Sequence, residues 1–182
     1  MNRSIFVIIV ALTIFVAFNL AYAAPKYVGG DKCKACHKLE KYGNQQEIWE
    51  KSKHAQAFTV LATEKAKEAA KKLGVDDPQK SDKCLKCHVT GFGAAAEAKD
   101  VTFKMEEGVG CEACHGPGSD YKTMAIMKDM KQAMAAGLIM PDEKTCKKCH
   151  TPEGNDFYKE FNYKAFFAQI AHPRPAPAPA QK

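Results

Sequence analysis

Arginine is nearly missing from this chain of 182 residues, which holds only Arg3 and Arg174 among its 27 basic residues. A protein that reads nucleic acid generally uses clustered arginine forks to contact phosphates and base edges. The scarcity of arginine therefore argues against a nucleic-acid partner, although the formal net charge is +6. Leucine, isoleucine, valine and phenylalanine are also sparse beyond the N-terminal segment. The remaining side chains alone would make only a thin core.

The N-terminal segment has the pattern of a secretory signal. The run Ile5–Leu20 is apolar except for Thr13 and Asn19, and the small-x-small sequence AYA follows it at positions 21–23. An uncleaved membrane anchor is the alternative, but a membrane span needs about 20 apolar residues and this run is shorter. We therefore predict a signal peptide at residues 1–23, cleaved after Ala23.

The C-terminal segment, residues 173–182, alternates proline with other residues. Proline lacks a backbone donor and favours the extended polyproline conformation. We predict a disordered tail there, with a partner-docking tail as the alternative. Residues 24–172 between the two segments are predicted to form one domain.

All eight cysteines fall in C-x-x-C pairs, and a histidine directly follows each pair. The four motifs are Cys33, Cys36 and His37; Cys84, Cys87 and His88; Cys111, Cys114 and His115; and Cys146, Cys149 and His150. Paired cysteines alone would fit disulfides in an exported protein, or zinc sites with thiolate ligands. Neither needs a histidine after every pair, whereas the C-x-x-C-H signature of covalent c-type haem does. The motifs therefore predict four covalently bound haems.

Haem attachment explains each position of the motif. The two thiols add to the vinyl groups on one edge of the porphyrin, and the two intervening residues let one turn of backbone present both sulfurs to that edge. The next residue lies under the ring, where its imidazole binds iron, the usual proximal ligand. The cysteines are thus predicted to hold the haems, with these proximal axial ligands: His37, His88, His115 and His150.

The chain contains six histidines, so only His54 and His172 remain as sixth ligands. The other haems must then use methionine, another side chain, water, a neighbouring subunit or nothing. His54 lies in Gln45–Leu73, whose apolar spacing predicts one long helix ended by Gly74. His172 closes the aromatic-rich segment Phe157–Ala171. We predict that both histidines bind haem iron; the alternatives are a core histidine hydrogen-bonded to backbone and an exposed histidine beside the tail.

A methionine stripe offers another type of ligand. Ser119 predicts the cap of a helix over Asp120–Ala136, which Gly137 would end. Four methionines recur on one side of that helix: Met124, Met127, Met130 and Met134. The stripe fits core packing, because methionine fills irregular gaps, or it supplies an axial thioether.

Several sequence stretches are distinctive in residues other than those of the C-x-x-C-H signature. They are KCKACH at 32–37, WEKSKHA at 49–55 and CLKCHVTGFG at 84–93. The most specific is GVGCEACHGPG at 108–118. On these stretches the chain resembles the tetrahaem cytochrome c-554 family over roughly residues 27 to 120; the fourth motif aligns by order.

The resemblance implies a mainly helical fold with few or no strands, in which haems in stacked pairs form the core. It also implies that His54 ligates the haem attached at His115. A late histidine of the family ligates the fourth haem, so that His172 would serve the haem of His150.

The family resemblance leaves two haems without a histidine as sixth ligand. The second haem, here on His88, is five-coordinate in the best-known member. In the family a histidine shortly after the third motif ligates the first haem, but residues 116–149 contain none. Met124 lies near that place and is the candidate sixth ligand of the His37 haem.

We therefore expect a periplasmic or extracellular multihaem electron carrier, without a catalytic site, that exchanges electrons with redox partner proteins. Peripheral membrane contact and self-association stay open. A second hypothesis is reduction of nitric oxide or a related nitrogen oxide at an open haem on His88. A third is an extracellular filament in which neighbouring subunits lend histidines. Because haem attachment would supply folding free energy, we expect the apo-protein to be largely unfolded.

Overall fold

A computed structural model describes residues 23–172 as short helices joined by turns. Most of the expected signal peptide and the whole of the expected tail lie outside these residues. The helices are α1 (Gly30–His37), α2 (Gln45–Glu50), α3 (Glu64–Lys72), α4 (Asp82–His88), α5 (Cys111–His115), α6 (Met124–Met127), α7 (Met130–Ala135), α8 (Glu143–Lys147) and α9 (Tyr163–Ile170). Short 3-10 turns lie at Glu40–Tyr42, Thr59–Ala62, Ala96–Ala98 and Met105–Glu107. Within the described chain the only β pairing is an isolated parallel bridge between Tyr27 and Lys99, so the mainly helical prediction is confirmed.

The single long helix predicted over Gln45–Leu73 is wrong. Helix α2 ends at Glu50, and α3 begins only after Thr63, whose side chain accepts a hydrogen bond from the Ala66 amide at 3.3 Å. An extended backbone at Thr63 makes it an N-cap, which starts a new helix rather than continuing an old one. The residues between the two helices form turns, and His54 lies in them.

The turn before the third motif holds His54 in place. The Val109 amide donates to the His54 carbonyl at 3.1 Å, and the Trp49 indole donates to the Val109 carbonyl at 2.8 Å. Gly108 has φ +73°, and a β-carbon there would lie 2.9 Å from the His54 carbonyl oxygen. Glycine is required because both the backbone conformation and the close approach exclude a side chain.

The helix predicted over Asp120–Ala136 is also interrupted. Helix α6 ends at Met127 and α7 begins at Met130. Between them Asp129 is extended, and its carboxylate accepts hydrogen bonds from the amides of Lys131 and Gln132. An aspartate competes for backbone donors in this way at helix starts. The methionines therefore do not form one continuous stripe.

The hydrophobic core is small, as the composition predicts. One buried cluster comprises Leu61, Leu85 and Val89, and another comprises Tyr121, Ala133 and Leu138. Several large apolar side chains are exposed instead, including Phe92, Phe157 and Phe166. In residues 23–172 no helix has the length and apolar character needed to cross a membrane.

Candidate haem-binding sites

The first three motifs lie within helices, whereas in the fourth motif α8 ends at Lys147, and Cys149 and His150 lie in the turn that follows. Helices α1, α4 and α5 end at the histidine of their motif, and in the fourth motif the His150 amide donates to the Cys146 carbonyl at 3.0 Å. In the first motif the Leu39 amide donates to the Cys36 carbonyl at 3.0 Å, which turns the chain away directly after α1. Residues three apart on a helix share a face, so each pair presents both sulfurs on one side.

The eight cysteines predicted to hold haem are all half-buried and free of disulfides. They are Cys33, Cys36, Cys84, Cys87, Cys111, Cys114, Cys146 and Cys149. Among residues 23–172 no group of three or more His, Cys, Asp and Glu side chains is arranged to hold a metal ion. A haem iron does not require such a group, because the protein supplies only its axial ligands. All eight thiols are therefore free to attach to a porphyrin.

Three of the four motif histidines have the same ring nitrogen engaged. The Nδ1 atom of His37 lies 2.9 Å from the Gln45 side-chain oxygen. The Nδ1 atom of His88 lies 2.5 Å from the Ala57 carbonyl, and that of His115 lies 2.9 Å from the Ile139 carbonyl. These partners only accept, so Nδ1 carries the proton and donates. The tautomer leaves the Nε2 lone pair free to bind a metal, as is usual for ligating histidines.

The structure brings the remaining histidines together with motif histidines. The ring centroids of His54 and His150 are 6.1 Å apart, and those of His115 and His172 are 5.9 Å apart. A metal–imidazole nitrogen bond is about 2 Å long, so two imidazoles on opposite sides of one metal have centroids roughly 6 Å apart. Both spacings fit that arrangement.

The two pairs differ from the pairing that the family resemblance implies. His54 faces His150 rather than His115, and His172 faces His115 rather than His150. These contacts favour the other pairing, and the assignment of each ligand to its haem stays a prediction. The reason lies in the chain path: the His54 backbone is tied to Val109 beside the third motif, while its ring is directed to the fourth.

The paired histidines lie in surroundings that favour the neutral ring. Burial lowers the pKa of His54, His115, His150 and His172 below the ordinary value for histidine. The nearby imidazole of His37 lowers the pKa of His115 further, and for His172 the imidazoles of His115 and then His37 do so. A neutral imidazole is the form that binds metal, so these sites are prepared for ligation.

The thiols show which motifs are neighbours. Cys33 and Cys111 lie within hydrogen-bonding reach, which raises the pKa of Cys33 and lowers that of Cys111. Burial, followed by the nearby Cys146, raises the pKa of Cys114 to about 11.

The fourth motif also adjoins the second. Burial, followed by the neighbouring Cys87, raises the pKa of Cys149 to about 12. The Lys86 ammonium donates to the Gly154 carbonyl at 2.8 Å, which fastens the second motif to the loop after the fourth. The first motif therefore adjoins the third, the third adjoins the fourth, and the fourth adjoins the second.

Comparison with known proteins identifies the family. The model of the family described as "Cytochrome c554 and c-prime" matches residues 32–116. The chain is 34% identical over 146 residues to cytochrome c-554 of Nitrosomonas europaea, with 78% of this chain and 57% of that protein covered. It is also similar to the reduced-state structure of cytochrome c554 from Nitrosomonas europaea, at 26% identity and a TM-score of 0.54, over 81% of this chain and 79% of that one.

The chain belongs to the tetrahaem cytochrome c-554 family. It spans a little over half the length of the curated relative. As a member of this family it carries four covalently bound c-type haems. The free cysteines, the engaged Nδ1 atoms and the spacing of the imidazole pairs all fit that cofactor.

The structure gives little support to the predicted role of Met124 as the sixth ligand of the His37 haem. Its side chain is 51% exposed at the start of α6, whereas Met127 packs on the cluster around Tyr121. No described contact joins Met124 to His37, so its ligation of the His37 haem stays a prediction. The two imidazole pairs use four of the six histidines, which leaves His37 and His88 without a facing histidine in the described residues.

Three other residues that support the cytochrome sites were not singled out from the sequence. Gln45 holds His37, and Phe161 stacks on His150. Glu112 lies inside the third motif yet is buried. It accepts hydrogen bonds from the backbone amides of Val28 and Gly29, which precede helix α1. A charged residue between glycine-rich stretches was the available signal for Glu112, because a buried carboxylate needs several close donors. No sequence signal marked Gln45 or Phe161.

Proposed function

We propose that this cytochrome is an exported electron carrier that passes electrons among its haems between redox partner proteins. Haem iron, when bound, supplies reversible one-electron chemistry. The protein supplies the ligands, their orientation and the order of the attachment sites. The observation that carries the proposal is that there are two pairs of facing imidazoles, with ring centroids 6.1 and 5.9 Å apart.

The proposed axial ligands follow from these contacts. We assign His150 with His54 to the fourth haem, and His115 with His172 to the third. His37 and His88 serve as proximal ligands of the first and second haems, each held through Nδ1. Two imidazole ligands on one iron favour a low-spin centre that changes oxidation state with little rearrangement, which suits electron transfer.

The order of neighbouring motifs supports a route for electrons. The first and second motifs lie at the two ends of the series, with the third and fourth between them. In each imidazole pair one histidine, His115 or His150, belongs to a middle motif. The first and second motifs would therefore hold the haems at which redox partners exchange electrons, and the two middle motifs would hold the haems that link them.

Export and partners belong to the same proposal. The signal pattern at residues 1–23 and the extracytoplasmic attachment of c-type haem both support a periplasmic or extracellular location. Lysine side chains lie within or beside every motif except the third, for example Lys83, Lys86 and Lys148. Such cations favour partners with an acidic face, because charge complementarity speeds encounter.

A second candidate function rests on His88. Its ring is held by the Ala57 carbonyl, and no histidine faces it in the described residues. An iron without a sixth protein ligand would be open to a small ligand such as nitric oxide. Reduction of nitric oxide at this site is therefore the alternative to simple electron transfer.

One experiment separates the two candidates. The fully reduced holoprotein should deliver four electrons to an oxidised small c-type cytochrome, because all four haems take part in transfer. The same sample should be mixed with nitric oxide under anaerobic conditions while the gas is followed with an electrode. Electron delivery without consumption of nitric oxide supports the carrier; repeated consumption with an added reductant supports the enzyme. Failure of the reduced holoprotein to deliver electrons to any acceptor would contradict the proposal that it is an electron carrier.

A further inference from the structure

The imidazole of His150 is held differently from those of the other motif histidines. Those three rings donate through Nδ1 to an oxygen acceptor. Among residues 23–172, no side-chain or backbone acceptor lies within hydrogen-bonding reach of the His150 ring nitrogens. Phe161 instead stacks on the ring, with centroids 4.4 Å apart and an angle of 16° between the planes.

Phe161 is itself fixed by its surroundings. The Phe166 ring stacks on it at 5.3 Å and 19°. The Phe161 amide donates to the Tyr158 hydroxyl at 3.2 Å, and the Tyr158 amide donates to the Asn155 carbonyl at 3.0 Å. Stacked aromatic pairs prefer defined geometries, so this series of rings sets one orientation for the histidine.

The orientation matters because the ring also faces His54. The planes of His54 and His150 make an angle of 71°, whereas those of His115 and His172 make an angle of 43°. A ligating imidazole uses a nitrogen in its ring plane, so its faces stay free for stacking and the ring can turn about the metal–nitrogen bond. A hydrogen bond at Nδ1 resists that turning in the other motifs. At His150 the stacked Phe161 ring resists the turning instead.

We propose that Phe161 is a positioning residue for the fourth haem, which sets the plane of its proximal ligand His150 by stacking. The inference rests on the proposed axial pair His54–His150. Substituting Phe161 with an aliphatic residue releases the ring and changes the angle between the two ligand planes. The other haems keep their ligand orientation, since their histidines are held by oxygen acceptors.

The test is electron paramagnetic resonance of the ferric holoprotein, because the g-values of a low-spin haem depend on the angle between its axial imidazole planes. The wild-type protein is expected to show two bis-imidazole signals, the more anisotropic one from the pair at 71°. In Phe161→Leu that signal should shift and broaden, while the haem content and the other signals stay unchanged. Phe161→Tyr keeps the ring and should keep the signal.

A matched control is Phe167→Leu, which removes an aromatic ring that contacts Tyr163 of the same helix in a tilted arrangement. It should leave both bis-imidazole signals unchanged. If Phe161→Leu also leaves the anisotropic signal unchanged, the positioning role is refuted while the axial pair stands. If the wild-type protein lacks that signal, the axial pair itself is refuted. Loss of haem from Phe161→Leu would also overturn the inference, since it would show a general structural role.

Discussion

Glu112 fastens the first haem motif to the third. A protein with the Glu112→Ala substitution should unfold at a much lower denaturant concentration than the wild-type protein. The side chain is 3% exposed. Its oxygens accept hydrogen bonds from the amides of Val28, Gly29 and Gly118 at 2.6–3.0 Å. Gly29 immediately precedes helix α1, so the carboxylate of one motif anchors the helix of the other.

The size of the effect follows from these bonds. Glu112→Ala leaves three buried amides without an acceptor, and each unsatisfied buried group costs about 1–3 kcal/mol. Because the chain relaxes and water enters, the full sum overstates the loss. We therefore expect a decrease of about 3–5 kcal/mol in the free energy of unfolding, which is the lower part of the range of about 3–9 kcal/mol for three such groups. This is a large fraction of the roughly 5–15 kcal/mol that stabilises an ordinary domain.

The assay is guanidinium unfolding of the holoprotein followed by circular dichroism in the Soret region. The matched control is Glu107→Ala, since Glu107 accepts a single bond from the Gly30 amide at 2.7 Å at a half-buried site. That variant should lose only about 1 kcal/mol. An equal effect of the two substitutions, or a loss below about 1 kcal/mol in Glu112→Ala, would refute the reasoning.

The other predictions concern the sixth ligands. His54→Met and His172→Met should each raise the reduction potential of one haem, a different haem in each case, as shown by spectroelectrochemical titration; a shift of the same haem would contradict the pairing. Gly108→Ala should move His54 and diminish one low-spin signal, because its β-carbon would lie 2.9 Å from the His54 carbonyl. Gly74→Ala also has a positive φ, but nothing lies within 4 Å, so it should leave all spectra unchanged. Met124→Ala should abolish the iron–methionine charge-transfer band of the ferric protein if Met124 binds the His37 haem, and an unchanged band would exclude Met124.

The four covalent haems were predictable from sequence because the chemistry of their attachment is local. Two thiols and an imidazole must follow one another along a single turn, so the motif defines its own geometry. The helices around the motifs fit this geometry, including α4 and α5, which end at His88 and His115. The small core was predictable for a related reason, since composition limits how much apolar surface the side chains can bury.

The partners of His54 and His172 were not predictable in the same way. Which ring faces which depends on turns that bring distant segments together, such as the Val109–His54 bond. The periodicity around His54 fits a helix, but the Thr63 cap starts a separate one, and the resulting turns redirect the ring. The Asp129 cap likewise breaks the methionine stripe. In both cases a short polar side chain satisfied backbone donors and outweighed helix periodicity.

Near-infrared magnetic circular dichroism of the oxidised full-length monomer tests the central claim most directly, because this spectrum identifies the axial ligands of each low-spin haem. The structure predicts two bis-histidine haems, from His150 with His54 and from His115 with His172. It predicts no such signal from the haems of His37 and His88, and a high-spin centre at His88. One bis-histidine haem in the monomer, or none, would contradict the account, since the six histidines allow at most two.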